Sequence, residues 1–197
     1  MPATVTPDDD GIAASIRAVR RGDADAYGAV VERFERRLFG LLLMVTRDPG
    51  AAEEIAQDAF VRAFMKLDAY DASRPFYPWL STIAVRLAQN WLVGRTRRAA
   101  VQAGLADDHP LEDRDAVDAL DRLLTDERDR QLWRAVAQLS SGQRTAALLF
   151  YRQGLSIDEV AAALGVSGGT VKTLLFRARQ RLLTLLTAEE GSSHDER

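Results

Sequence analysis

Apolar residues return every three or four positions along most of this chain, and no stretch sustains strict alternation, so the pattern predicts an all-α protein. A short helix is expected from Ile12 to about Arg21, ended by Gly22. Asp23 or Asp25 then caps a long amphipathic helix with Tyr27, Val30, Val31, Phe34, Leu38, Leu41, Leu42 and Val45 on its inward stripe. Asp48-Pro49-Gly50 reads as a turn. A third helix carries Ala52, Ile55, Ala56, Ala59, Phe60, Ala63, Phe64 and Leu67 on one side. Asp68 to Pro78, with two prolines, reads as a loop, and a fourth helix starting at Pro78 turns Leu80, Ile83, Ala84, Leu87 and Trp91 inward.

The periodicity lapses between Ala99 and Asp129, where Ala, Asp and Arg dominate and large apolar side chains are few. Two small helical domains joined by a flexible linker are therefore expected: 12–98 and 130–187, with 99–129 as the connector. Residues 1–11 and 188–197 lack periodicity and are expected to be disordered. The second module begins with Leu132, Val136 and Leu139 on one helical face, breaks at Ser140-Ser141-Gly142, and resumes as a helix from Gln143 to Gln153 ended by Gly154.

The most specific local pattern lies between Ser156 and Leu186. Ser156 with Glu159 three residues on makes a capping box. Ala161 suits a close approach of two helices, Gly165 a sharp turn, and Val171 a buried anchor on a second helix capped by Ser167. That spacing is the helix-turn-helix, whose second helix enters the major groove. Val171, Leu174, Leu175, Ala178 and Leu182 face inward, which leaves Thr170, Lys172, Thr173, Phe176, Arg177 and Arg179 outside.

Charge sharpens this picture. The formal net charge is only −3, but 72–106 and 168–187 contain no acidic residue. The first window holds Arg74, Arg86, Arg95, Arg97 and Arg98, and the second Lys172, Arg177, Arg179 and Arg181. Between them, Asp107 to Asp129 holds ten carboxylates. Two basic segments separated by an acidic one suggest two polyanion contacts joined by a connector. Cysteine is absent, so disulfides and thiolate metal sites are excluded, and no metal or other cofactor is expected. His109 and His194 are the only histidines, and no phosphate loop or metal-ligand spacing occurs, so an enzyme is not expected. Asp8, Asp9 and Asp10 stand where a signal peptide would be basic and then apolar, and no apolar run reaches the ~18–20 residues of a membrane span. A cytoplasmic location is the expectation.

Leu139-Ser140, Gly154-Leu155-Ser156-Ile157-Asp158-Glu159-Val160-Ala161, Leu164 to Lys172 and Phe176-Arg177-Ala178-Arg179 closely resemble region 4 of extracytoplasmic-function sigma factors. Ala52-Glu53-Glu54-Ile55-Ala56-Gln57-Asp58-Ala59-Phe60 resembles their region 2.2. Phe76 to Ala84, followed by Asn90-Trp91-Leu92-Val93, resembles regions 2.3 and 2.4 of sigma-E-like members. The chain departs from the family at Arg86, where Asn is frequent, and at Leu139-Ser140, where Leu-Pro is frequent.

The resemblance implies a factor that binds core RNA polymerase, recognises −35 and −10 promoter elements and melts DNA, controlled by an anti-sigma factor. It implies polymerase binding by Glu53, Glu54, Gln57, Asp58, Arg62 and Lys66, a set that on sequence alone also fits a solvated helix face. It implies −10 binding and melting by Tyr70, Ser73, Arg74, Phe76, Tyr77, Trp79, Arg86, Asn90, Arg95 and Arg97, whose rings would stack on unpaired bases. Of Phe76, Tyr77 and Trp79, at least one is equally well explained as core. It implies −35 binding by Ser167, Thr170, Lys172, Thr173, Phe176, Arg177 and Arg179, with Arg177 open to either a base or a phosphate contact. The alternative from the helix-turn-helix alone is a dimeric operator-binding regulator, its first module serving for sensing or dimerisation.

Overall fold

The computed structural model describes residues 9–103 and 127–192, and these are helical without a strand. The first module packs α1 (Asp9–Arg20), α2 (Tyr27–Thr46), α3 (Pro49–Met65) and α4 (Phe76–Ala103). The second packs α5 (Glu127–Ala137), α6 (Ser141–Ala147, prolonged by a π-turn over Leu148–Arg152), α7 (Ile157–Leu164) and α8 (Gly168–Ser192). Residues 104–126 of the expected connector lie outside the described residues, as do 1–8 and 193–197 of the expected tails.

Local chemistry sets the helix ends. Asp23 accepts from the Ala26 N–H at 3.4 Å and so caps a 3-10 turn over Ala24–Ala26, whereas α2 itself follows Ala26 with no side-chain cap, contrary to the expectation of Asp23 or Asp25 there. Asp48 accepts from the Ala51 N–H at 2.9 Å with Pro49 next to it, so the expected turn is in fact the start of α3. α4 starts at Phe76, two residues before the expected Pro78. A proline at the third helical position is harmless because the first four N–H groups have no intrahelical acceptor. α4 also continues to Ala103, and α5 begins at Glu127, so both ends of the expected connector are helical. Ala99, Ala100, Val101, Gln102 and Ala103 include no breaker, and alanine is the best helix former. Likewise α1 takes in Asp9 to Gly11, and α8 runs to Ser192 into the expected tail.

The first module's core is Leu38, Leu41 and Leu42 of α2 against Leu80, Ala84, Val85 and Ala88 of α4, with Ala52, Ala59 and Ala63 of α3 filling the third side. Small residues on α3 let the helices approach closely, and Ile55 and Phe60 of the same helix fill the space between them. The same apolar cluster continues into the second module through Leu149, Leu155, Val160, Val171 and Leu175. A smaller cluster of Leu139, Ala147 and Ala178, with Leu182 against it, joins that module's other helices.

Candidate nucleic-acid interface

α7 and α8 form the helix-turn-helix that the spacing predicts. Ser156 Oγ accepts from the Glu159 N–H at 3.2 Å, and the Ser156 N–H donates to Glu159 Oε2 at 2.9 Å, completing the capping box. The backbone N–H and hydroxyl of Ser156 hold the Glu159 carboxyl below its ordinary range. Gly165 takes φ +67 and its N–H returns to the Ala161 carbonyl, ending α7 at the tight turn. Ser167 Oγ accepts from the Thr170 N–H at 3.1 Å and opens α8.

On α8, Val171, Leu175 and Ala178 are buried and Leu174 and Leu182 are half-buried. Ser167, Thr170, Lys172, Thr173, Phe176, Arg177 and Arg179 are all exposed. Lys172, Thr173, Phe176 and Arg177 follow three- and four-residue steps along one face. Phe176 is 58% exposed, an apolar ring standing among cations and hydroxyls. The Thr173 hydroxyl donates to the Gly169 carbonyl at 3.1 Å, which fixes its rotamer on that face.

The expected −10 residues fall into two groups. Trp79, Arg86, Asn90 and Arg97 share one stripe of α4, with Trp79 half-buried and the other three exposed. Arg95 sits beside that stripe, its guanidinium 5.0 Å over the Trp91 ring. Ser73 and Arg74 are exposed on the loop before α4. Asp71 Oδ1 accepts from both the Ser73 N–H at 2.9 Å and its hydroxyl at 2.7 Å, which shapes the loop and lowers the Asp71 pKa. Arg20 of α1 donates to the Leu67 carbonyl at 2.7 Å and to that of Tyr70, pinning the loop's entry.

Phe76 and Tyr77 depart from expectation. They are 1% and 3% exposed, so in this conformation neither ring can stack on an extruded base. The earlier start of α4 is the reason: it puts both onto the inward stripe with Leu80, Ser81 and Ala84. Phe76 lies 5.8 Å from Phe34, 5.1 Å from Tyr70 and 5.4 Å from Trp79, centroid to centroid. The Tyr77 hydroxyl donates to the Arg37 carbonyl at 3.1 Å while the Arg37 guanidinium lies 3.8 Å over its ring. Burial pushes its pKa up to about 12. Tyr70 is buried too, its hydroxyl donating to the Arg74 carbonyl. Trp79 is the one ring of the expected set that remains partly open. A groove of about 230 Å³ between α1 and the loop is lined by Ile12, Ile16, Arg17, Ser73, Arg74 and Phe76, among others. Its α1 wall, including Arg17, has no signal in the sequence because pairing across some sixty residues is set by packing alone.

The expected polymerase set is exposed, with Glu53, Glu54, Gln57, Asp58 and Arg62 on α3 and Lys66 just past its end. Arg62 and Asp58 pair at 3.2 Å. Val61 and Met65 are 57% and 77% exposed, and with Glu54 and Asp58 they form one stripe. Sequence reading passed them over because it followed the buried stripe; two large apolar residues falling off that stripe were the available signal.

Comparison with known proteins agrees with this geometry in both modules. The model described as Sigma-70 region 2 matches residues 30–98, and that described as Sigma-70, region 4 matches residues 129–182. The RNA polymerase sigma-H factor of Pseudomonas aeruginosa is 31% identical over 174 residues, covering 85% of this chain and 89% of the relative. The ECF RNA polymerase sigma-E factor of Escherichia coli K12 is 30% identical over 182 residues, covering 85% and 90%. The structure of CnrH in complex with the cytosolic domain of CnrY is similar with a TM-score of 0.58 and 25% identity, over 90% of this chain and 98% of that one. The sigma factor RpoE in complex with the anti-sigma factor NepR from Bartonella quintana shares the fold, with a TM-score of 0.61 at 24% identity over 82% and 96%. Two matched regions in the order the modules occupy leave no place for the dimeric regulator, and the chain belongs to the sigma factors of RNA polymerase, of the extracytoplasmic-function type.

Proposed function

We propose that α8 is the −35 reading head and that the loop before α4, together with the Trp79–Arg97 stripe, receives the melted −10 strand. The observation that carries this reading is the outer face of α8. A rigid helix held by five inward residues presents Lys172, Thr173, Phe176 and Arg177 to solvent over twenty positions without an acid. Such a face fits the negative potential of a major groove, and the exposed ring gives an apolar contact for a thymine methyl. In the first module, the groove between α1 and the loop is the place for an extruded base, with Arg17 and Arg74 at its rim for the adjoining phosphates. Trp79, half-buried on the α4 stripe beside that groove rather than in its lining, is the ring left open enough to stack on a base.

The mixed stripe of Glu54, Asp58, Val61 and Met65 fits a protein partner, and we assign it to core polymerase. The chain binds and melts while the polymerase does the chemistry, so no catalytic residue, metal or cofactor is assigned. An anti-sigma factor is proposed as a second partner, since similar sigma-factor structures are complexes, one with an anti-sigma factor. No helix among the described residues is long and apolar enough to cross a membrane, and we place the chain with the polymerase in the cytoplasm.

Run-off transcription with purified core polymerase and a promoter library tests the reading. Promoter-specific starts should appear only when both proteins are present, and the isolated chain should bind DNA weakly and without sequence preference. Tight footprints from the isolated chain would reject it.

A further inference from the structure

The groove assigned to the extruded base takes its two walls from distant parts of the chain, α1 on one side and the loop before α4 on the other. Ile12 and Ile16 of α1 are buried along that wall, and Arg20 follows them at the same four-residue step, so the three share one stripe of the helix. The isoleucines join the apolar core, whereas Arg20 reaches across to the loop. Its guanidinium donates to the Leu67 carbonyl at 2.7 Å and to the Tyr70 carbonyl, and lies 6.0 Å over the Tyr70 ring. These carbonyls lie at the end of the short 3-10 turn Leu67–Ala69, where a cation is well placed. Among the described residues Arg20 pairs with no carboxylate, so its donors serve the backbone alone.

Tyr70 passes this hold to the rest of the loop. Its hydroxyl donates to the Arg74 carbonyl near the loop's exit, and its ring lies 5.1 Å from Phe76 and 5.2 Å from Trp79. Asp71 closes the stretch between, its carbonyl accepting from the Arg74 N–H at 3.1 Å while its carboxylate holds Ser73. We infer that Arg20 is a positioning residue for −10 strand capture. It ties α1 to the loop's entry, sets the width of the groove between them, and through Tyr70 holds Arg74 and Trp79 where the strand meets them. Arg20 itself does not line the groove. The inference rests on the reading of that groove as the strand's site. Because Arg20 is exposed, its removal leaves no buried charge behind, and the module should stay folded.

The test gives holoenzymes carrying Arg20→Gln or Tyr70→Phe a promoter library randomised across the −10 positions. Both should lose preference at one −10 position by about tenfold, the lower part of what one base contact is worth, and keep the wild-type −35 preference. The full chains should melt near the wild-type temperature. Binding of the Arg20→Gln holoenzyme to a pre-opened template should keep its salt slope, because a positioning residue neutralises no phosphate. A slope smaller by about 0.7, the share of one single-strand phosphate, would make Arg20 a DNA contact and overturn the inference. So would wild-type −10 preference in Arg20→Gln. Should that variant melt early, Tyr70→Phe, which changes no charge, decides in its place, and either wild-type preference or early melting there overturns the positioning role. Arg74→Ala reports separately on the underlying reading: wild-type −10 binding by that variant would reject the groove as the strand's site, whereas a loss there with none in Arg20→Gln sinks only the role of Arg20.

Discussion

The two DNA-facing regions treat aromatic residues in opposite ways. In α8, Phe176 stands 58% exposed on a helix whose buried side is complete without it. At the start of α4, Phe76 and Tyr77 are almost wholly buried, within a network of rings that includes Phe34, Tyr70 and Trp79. A duplex groove is always there to be read, and a rigid helix with an outward face suffices for it. A melted strand exists only after opening, and its candidate surface is a half-buried tryptophan, a shaped loop and exposed cations, two of which, Arg74 and Arg86, also touch α7. The first region presents its ring to solvent, and the second packs two of its rings into the core.

The contrast breaks most visibly at Phe76. Phe76→Ala should destabilise the first module by ~3–5 kcal/mol, the usual cost of truncating a buried phenylalanine. Thermal melting should show it, with initiation lost equally on duplex and pre-opened templates. A normal melting temperature with a defect confined to duplex templates would return Phe76 to the stacking surface. Ser156→Ala should cost about 1 kcal/mol through loss of the capping box at α7, seen as a lower melting temperature. Because the folded Glu159 carboxyl titrates below its ordinary range, its contribution is full above the ordinary glutamate pKa. That contribution is lost as pH falls through the depressed value, so Glu159→Gln should flatten the acid limb of the stability curve. The smallest stability effect is expected at Phe176→Ala, within ~0.5 kcal/mol of wild type, accompanied by weaker −35 binding. A large loss of stability there would make the ring a packing residue and erase the contrast.

The second module was more legible in the sequence than the first, and the reason is locality. Ser156 with Glu159, Gly165 and Val171 act on neighbours within a few residues, so their spacing states their geometry. The inward stripe of α8 follows from the 3.6-residue repeat and leaves its outer face by elimination. At Phe76 the same logic failed because Pro78 suggested a later helix start, and a two-residue shift turns a ring from outside to inside. The chemistry between the two modules was not legible at all. Arg74 meets Glu159 across 85 residues and Arg86 meets Ala162 across 76, and no local pattern encodes which carbonyl a long side chain will reach. Arg144 is similar: although charged, it is 5% exposed, its guanidinium shared among the Ala137, Leu139 and Val45 carbonyls.

The central claim, that α8 reads the −35 element from its outer face, is tested most directly by selecting −35 variants with mutant holoenzymes. Arg177→Ala should lose preference at one base position, worth ~1–3 kcal/mol of discrimination, while Lys172→Ala should weaken all sequences alike and reduce the salt slope by about 1. Wild-type affinity and preference in both mutants would contradict the account, because the helix would then not be the part of the chain that reads DNA.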